Sequence, residues 1–126
     1  MCNLLDPNKR VKRTAAAAPS DGVPLFPLGR TVATPAALAL LEKHGVSVSA
    51  LLARHQCGDW GDVGTDSAAD NVLAIEAGAR ILSVYRLLPP ETLARMTSDE
   101  RRRSATVWVI TESDRWSTAV LTPECF

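Results

Sequence analysis

"ATVWVITESDRWSTAVLTP", residues 105–123, decides the fold. Two runs rich in β-branched and aromatic residues, ATVWVITES and RWSTAVLTP, flank a tight Ser-Asp-Arg turn, which is the pattern of a β-hairpin. Upstream, "ARILSVYRLL" (79–88) alternates: Ile81, Ser83, Tyr85 and Leu87 share one face, and Arg80, Leu82, Val84 and Arg86 the other. It reads as a third strand preceding the hairpin. Between it and the hairpin lies "PPETLARMTSDERRRS" (89–104). Pro-Pro stops the strand, ETLARM has the length of one or two helical turns, and the whole stretch reads as an insertion at a hairpin tip.

Before residue 79 the period is helical. In "TPAALALLEKHG" (34–45) Thr34 is placed to cap, Pro35 suits the first turn, and Gly45 ends the helix behind Lys43 and His44. Leu38, Leu41 and Ala37 are its expected apolar stripe. A second helix fits "VSVSALLARHQ" (46–56), capped by Ser47 or Ser49, with Leu51, Leu52 and His55 on one side. The bend "HQCGDWGD" (55–62) follows. Thr65 or Asp66 then caps a third helix that runs to Gly78, with Val72, Leu73 and Ile75 expected inward. At the other end "VPLFPLGRTVA" (23–33) carries two prolines, which exclude a helix and mark an extended edge segment. Residues 1–22 mix basic residues, an alanine run and turn formers, and read as a flexible basic tail ahead of a single domain over 23–126. Helices first and antiparallel strands after them give an α+β domain: a three- or four-stranded antiparallel sheet with about three helices packed on one face.

Composition bounds the function. The chain has 126 residues, 46% of them hydrophobic, enough for one buried core. Fourteen basic residues balance fourteen acidic ones, so total charge argues for neither nucleic acid nor membrane. Their distribution is uneven: from His55 to Ala79 there is no Lys or Arg, but there are Asp59, Asp62, Asp66, Asp70 and Glu76. No CxxC pair is present among three cysteines, and Asp59 with Asp62 lacks a third ligand at metal spacing, so neither metal nor cofactor is expected. Free thiols, no signal-peptide core and no long apolar run point to a cytoplasmic protein without a membrane segment.

The polar residues that the bend, the strand ends and the hairpin turn bring into range define the candidate chemistry. His55 as acid or base, Glu112 as the other, and Arg80 or Arg115 as a phosphate clamp make a catalytic set for metal-independent RNA cleavage, as in small toxin nucleases. Trp60 and Tyr85 are candidate base stackers, with Asp59 beside them for substrate binding. The reading requires His55 to face the charged hairpin corner across a water-filled gap. The acidic stretch 59–76 opposes it, because RNA would meet repulsion there. That stretch favours a second class: a non-enzymatic module that binds a basic host protein, as an anti-defence inhibitor would. An exposed sheet edge also leaves room for a dimer.

The motifs GDWG, RILSVY and WVITESDR, within about residues 26–126, resemble a family of small proteins from bacterial chromosomes and plasmids, some labelled as methylation subunits of type I restriction-modification systems. The resemblance implies a mobile-element setting and carries no established activity. The methylation label itself has no support in the residues. "LLPPET" lacks the Asn and the aromatic of an amino-methylating loop, no Gly-rich turn follows a strand, and the chain is too short for a doubly wound sheet.

Overall fold

A computed structural model of the chain describes residues 23–125, and the tail expected over 1–22 lies outside them. The described chain runs β1 (Arg30–Ala33), α1 (Pro35–Lys43), α2 (Val48–Gln56), α3 (Thr65–Ala77), β2 (Ile81–Arg86), α4 (Pro90–Ala94), α5 (Ser98–Arg103), β3 (Thr106–Thr111), β4 (Ser117–Leu121) and a closing 3-10 turn (Pro123–Cys125). This is an α+β fold.

The helix punctuation works locally as the residue types dictate. The Thr34 hydroxyl accepts from the Ala37 amide at 3.2 Å, and Pro35 occupies the first turn, where its missing N–H costs nothing. Ser47 caps α2 by accepting from the Ala50 amide. α3 ends at Gly78, in the left-handed conformation with φ 71°. Its start differs from expectation: Gly64 is the N-cap, with no side chain bonded to the first turn. Two apolar stripes are also rotated. α1 buries Ala37 and Leu41 but leaves Leu38 exposed, and α3 buries Asn71 and Ala74 while Leu73 points outward.

The sheet has the order β1-β4-β3-β2. β2–β3 and β3–β4 are antiparallel, but β1 lies parallel to β4, so the sheet is mixed rather than wholly antiparallel. The extended edge segment read from the two prolines therefore becomes a true strand. Its direction follows from what comes next. Thr34 caps α1 directly after Ala33, and its own amide is held by the Val120 carbonyl at 3.0 Å, so the chain must leave β1 at the end of β4 over which α1 packs.

α1 and α2 cover one face of the sheet. Ala37, Leu41 and Leu51 bury against Tyr85, Leu87, Val107, Val109 and Val120, and a second cluster gathers Phe26, Trp60, Ala74 and Ile81. The segment 89–104 connects β2 to β3 and forms two short helices. α5 has a full capping box between Thr97 and Glu100, with Asp99 reaching both Arg102 and Arg103. Among the described residues no single helix is long and apolar enough to cross a membrane.

The two sheet edges are treated differently. At β2 the side-chain amide of Asn71 donates to the Leu82 carbonyl at 2.7 Å and its oxygen accepts from the Leu82 amide at 3.1 Å. One residue pair further on, the bend pairs with Val84. That edge is closed to another strand. The β1 edge keeps Arg30, Thr31 and Val32 exposed.

Candidate functional site

"HQCGDWGD" is a bend pinned to β2. The Val84 amide donates to the Trp60 carbonyl at 3.0 Å, and the Asp62 amide donates to the Val84 carbonyl at 2.6 Å. Gly61, at φ 75°, lies so close that any Cβ there would run into the Val84 carbonyl oxygen. Asp59 closes the turn by accepting from the Gly61 amide at 3.2 Å. Trp60 is buried, stacked on Phe26 with ring centroids 6.3 Å apart. The Tyr85 hydroxyl donates to the Asp59 carbonyl at 2.6 Å, and burial raises the pKa of its phenol.

His55 is the centre of a buried polar chain. It is 0% exposed. Its Nδ1 lies 2.6 Å from Ser83 Oγ and its Nε2 2.9 Å from Thr111 Oγ1. Thr111 Oγ1 is 2.7 Å from Thr118 Oγ1, which is 2.8 Å from the Leu28 carbonyl. The carbonyl end fixes the protons from Thr118 back to His55 Nε2. It only accepts, so Thr118 donates to it; Thr111 must then donate to Thr118, and His55 must donate from Nε2 to Thr111. Nδ1 is left to accept from Ser83. The network fixes Nε2–H as a donor, and the lowered pKa of the buried ring makes it the neutral Nε2–H tautomer. Burial, aided by the positive charge of Arg115, pushes the His55 pKa down from 6.5 to about 3.

The expected catalytic set does not form. His55 does lie within the electrostatic reach of Arg115, but no water-open gap separates them: Phe26 stands edge-on to the imidazole at 5.2 Å, and Trp60 at 6.1 Å. Arg115, expected as a phosphate clamp, is engaged by backbone carbonyls. Its guanidinium donates to the carbonyls of Ala74 (2.7 Å), Ala79 (2.7 Å) and Glu112 (3.0 Å), tying the hairpin turn to the end of α3. Arg80 and Glu112 meet in a 3.2 Å ion pair with both side chains about half exposed, a geometry that contributes little. Trp60 and Tyr85 are buried and present no face to a base. Cys57, expected as a free thiol, is disulfide-bonded, which removes the thiol argument for a cytoplasmic location.

Two surfaces stand out among the described residues. The first is a cleft of about 580 Å³ between the bend and the α4–α5 segment. Arg54, Asp59, Asp62, Arg86 and Arg101 supply its charges, and Leu88, Pro90, Leu93 and Ala94 its apolar lining. Arg54 grips Asp59 through two contacts of 2.7 and 3.3 Å and lies over the Tyr85 ring. Arg86 donates to Asp62 at 2.8 Å and to Thr106 at 2.9 Å. Arg101 approaches the same Asp62 oxygen only to 3.7 Å. Of these residues the sequence points to Asp59 and Tyr85 as substrate-binding candidates and to Asp62 as part of the acidic 59–76 surface, but to none of the arginines. The arginines come from α2, β2 and α5, and no spacing announces that they meet.

The second surface is the outward side of α3. Asp66, Asp70 and Leu73 follow one another at i, i+4 and i+7, flanked by Ala69 and Glu76, and all are exposed. None of the three carboxylates is in an ion pair among the described residues. Leu73 is 69% exposed in their midst. Trp116, 77% exposed, is adjacent in the chain to Arg115, which reaches the last turn of α3. Among the described residues no group of three or more His, Cys, Asp or Glu side chains is placed to hold a metal. No family model, curated protein or solved structure matches the chain.

Proposed function

We propose that this protein is a non-enzymatic binding module that docks a basic protein partner against the outward side of α3. The observation that carries the reading is the exposed Leu73 set among Asp66, Asp70 and Glu76, with no basic residue from His55 to Ala79 to neutralise them. A leucine in that position offers an anchor for a partner's apolar recess, and the carboxylates steer and orient a basic rim. The surface differs from the acidic loop expected from sequence: Asp59 and Asp62 are held by Arg54 and Arg86, so the acidic character lies on the helix. An inhibitor that occupies a basic groove of a host enzyme is the form of this reading that a mobile-element setting favours. Ribonuclease activity is the weaker reading, because its acid–base residue has no access to substrate.

The test is capture of host proteins on the immobilised full chain, followed by amide exchange of the purified complex. A partner retained at low salt, released as salt rises, and protecting α3 is the expected result. Leu73→Ser and the double variant Asp66→Asn with Asp70→Asn should each weaken retention by roughly tenfold, about 1.4 kcal/mol. These side chains are exposed, so the fold should survive both changes. Undiminished retention by both variants, or protection elsewhere, overturns the proposal. So does cleavage of RNA by the wild-type chain that His55→Asn abolishes.

A further inference from the structure

The geometry points to a second, separate site: the arginine cleft binds a small organic monoanion, a carboxylate carried on a short apolar body. Three features lead there. The first is charge. Three guanidinium groups share two carboxylates inside one cleft, which leaves a single positive charge unmatched. A monoanion neutralises that excess, whereas a phosphate dianion would overshoot it.

The second is where the excess lies. Asp62 serves two arginines through one oxygen: Arg86 takes it at 2.8 Å, and Arg101 stands off at 3.7 Å, beyond hydrogen-bonding distance. The Arg101 guanidinium has no closer side-chain or backbone acceptor among the described residues. A planar fork of N–H donors without an acceptor matches the two oxygens of a carboxylate. Arg86 is fixed by Asp62 and Thr106 and is mostly buried, so the anchor next to Arg101 is already rigid. Such pre-ordering lowers the entropy lost on binding.

The third is the remainder of the lining. Leu93 and its apolar neighbours border the same cleft, so a ligand with only a charged group would leave that wall wet. All of this depends on the 89–104 segment, which supplies both Arg101 and Leu93.

The experiment titrates the full chain with hexanoate at constant ionic strength and follows side-chain N–H and backbone amide resonances. Saturable shifts at the Arg101 and Arg86 side chains and at Leu93 are expected. Formate should bind more weakly because it lacks the apolar body. Arg101→Gln should weaken hexanoate by roughly tenfold, about 1.4 kcal/mol. Arg101→Lys, which keeps the charge but not the fork, should fall between the two. Because the Arg101 ion pair with Asp62 is long, 3.7 Å, the variants should keep the fold, and an unchanged amide spectrum should verify it. Shifts that rise linearly without saturating, or equal binding by Arg101→Gln, overturn the proposal. Tighter binding of inorganic phosphate or of a dinucleotide than of hexanoate overturns it as well. Neither the ligand nor the variants touch α3, so this result stands or falls apart from the docking surface.

Discussion

The Nδ1 atom of His55 accepts the Ser83 hydroxyl at 2.6 Å, inside a chain of hydrogen bonds that ends on the Leu28 carbonyl. That chain holds α2, β2, β3, β4 and the segment before β1 together through one ring. It also makes the fold sensitive to acid. The folded pKa is about 3 and the ordinary value is 6.5. Between those limits the unfolded chain takes up a proton that the folded chain refuses, so this contribution to stability is complete above about pH 6.5 and is lost as pH falls towards 3. The steepest loss is about 1.4 kcal/mol per pH unit. Urea unfolding at a series of pH values should show this slope in the wild type and a slope shallower by one proton in His55→Gln. A His55 imidazole resonance, assigned by its absence in His55→Gln, that titrates near pH 6.5 in the folded protein would refute the assignment.

The Gly61 position should tolerate no side chain. Its backbone is at φ 75°, and a Cβ would meet the Val84 carbonyl oxygen and the Tyr85 ring. Gly61→Ala must therefore either strain the turn or pull the bend from β2, at a cost of about 2 kcal/mol or more. The expected signature is local as well as global. Denaturant midpoints should fall, and the Val84 and Asp62 amides should lose protection against exchange before the rest of the sheet does. Unchanged protection at both amides would show that the bend is not held by this pairing.

Much of the fold was legible in sequence because local chemistry specified it. Thr34, Pro35, Ser47 and Gly78 act on their own neighbours, and the alternation of Ile81 to Arg86 survives any packing arrangement. Contacts distant in the chain were not legible. The parallel placement of β1 depends on how α1 leaves it for the β4 end. Leu73 looked like a core residue by type, yet Asn71 takes the inward position because the β2 edge needs a donor and an acceptor at one residue. The same blindness governed the site. His55, Arg115 and Glu112 read as reactive by type, while burial and backbone carbonyls decide what the first two do. The cleft arginines were missed because 47 residues of sequence separate Arg54 from Arg101.

Arg115 offers a direct check on the change of role from phosphate clamp to structural tie. Its three bonds reach the carbonyls of Ala74, Ala79 and Glu112, at the end of α3 and the start of the hairpin turn. Arg115→Ala should destabilise the fold by about 1–3 kcal/mol, since hydrogen bonds to a charged group are lost together. Arg115→Gly removes the same bonds but relieves the positive φ of 61° at this residue, so it should be less damaging than Arg115→Ala. Thermal unfolding of the two variants gives the order. The reverse order would mean that backbone strain in the turn matters less than the glycine's extra freedom in the unfolded chain.

Asn71 provides the last prediction, and it concerns the closed edge. Its amide satisfies both backbone groups of Leu82 at a site where the side chain is 4% exposed. Asn71→Ala would leave that N–H and C=O facing a gap, at a cost of about 1–3 kcal/mol. It would also uncover a strand able to pair with a second copy. Two results are expected from the purified variant: a lower denaturant midpoint, and a concentration-dependent rise in mass by light scattering that the wild type does not share through this edge. Asn71→Asp separates the two effects. A carboxylate there still accepts from the Leu82 amide but cannot donate to its carbonyl, and a charge beside the strand discourages pairing. That variant should be destabilised yet show no rise in mass beyond the wild type. If Asn71→Ala stays as stable as the wild type and gains no mass, the amide is not what closes this side of the sheet.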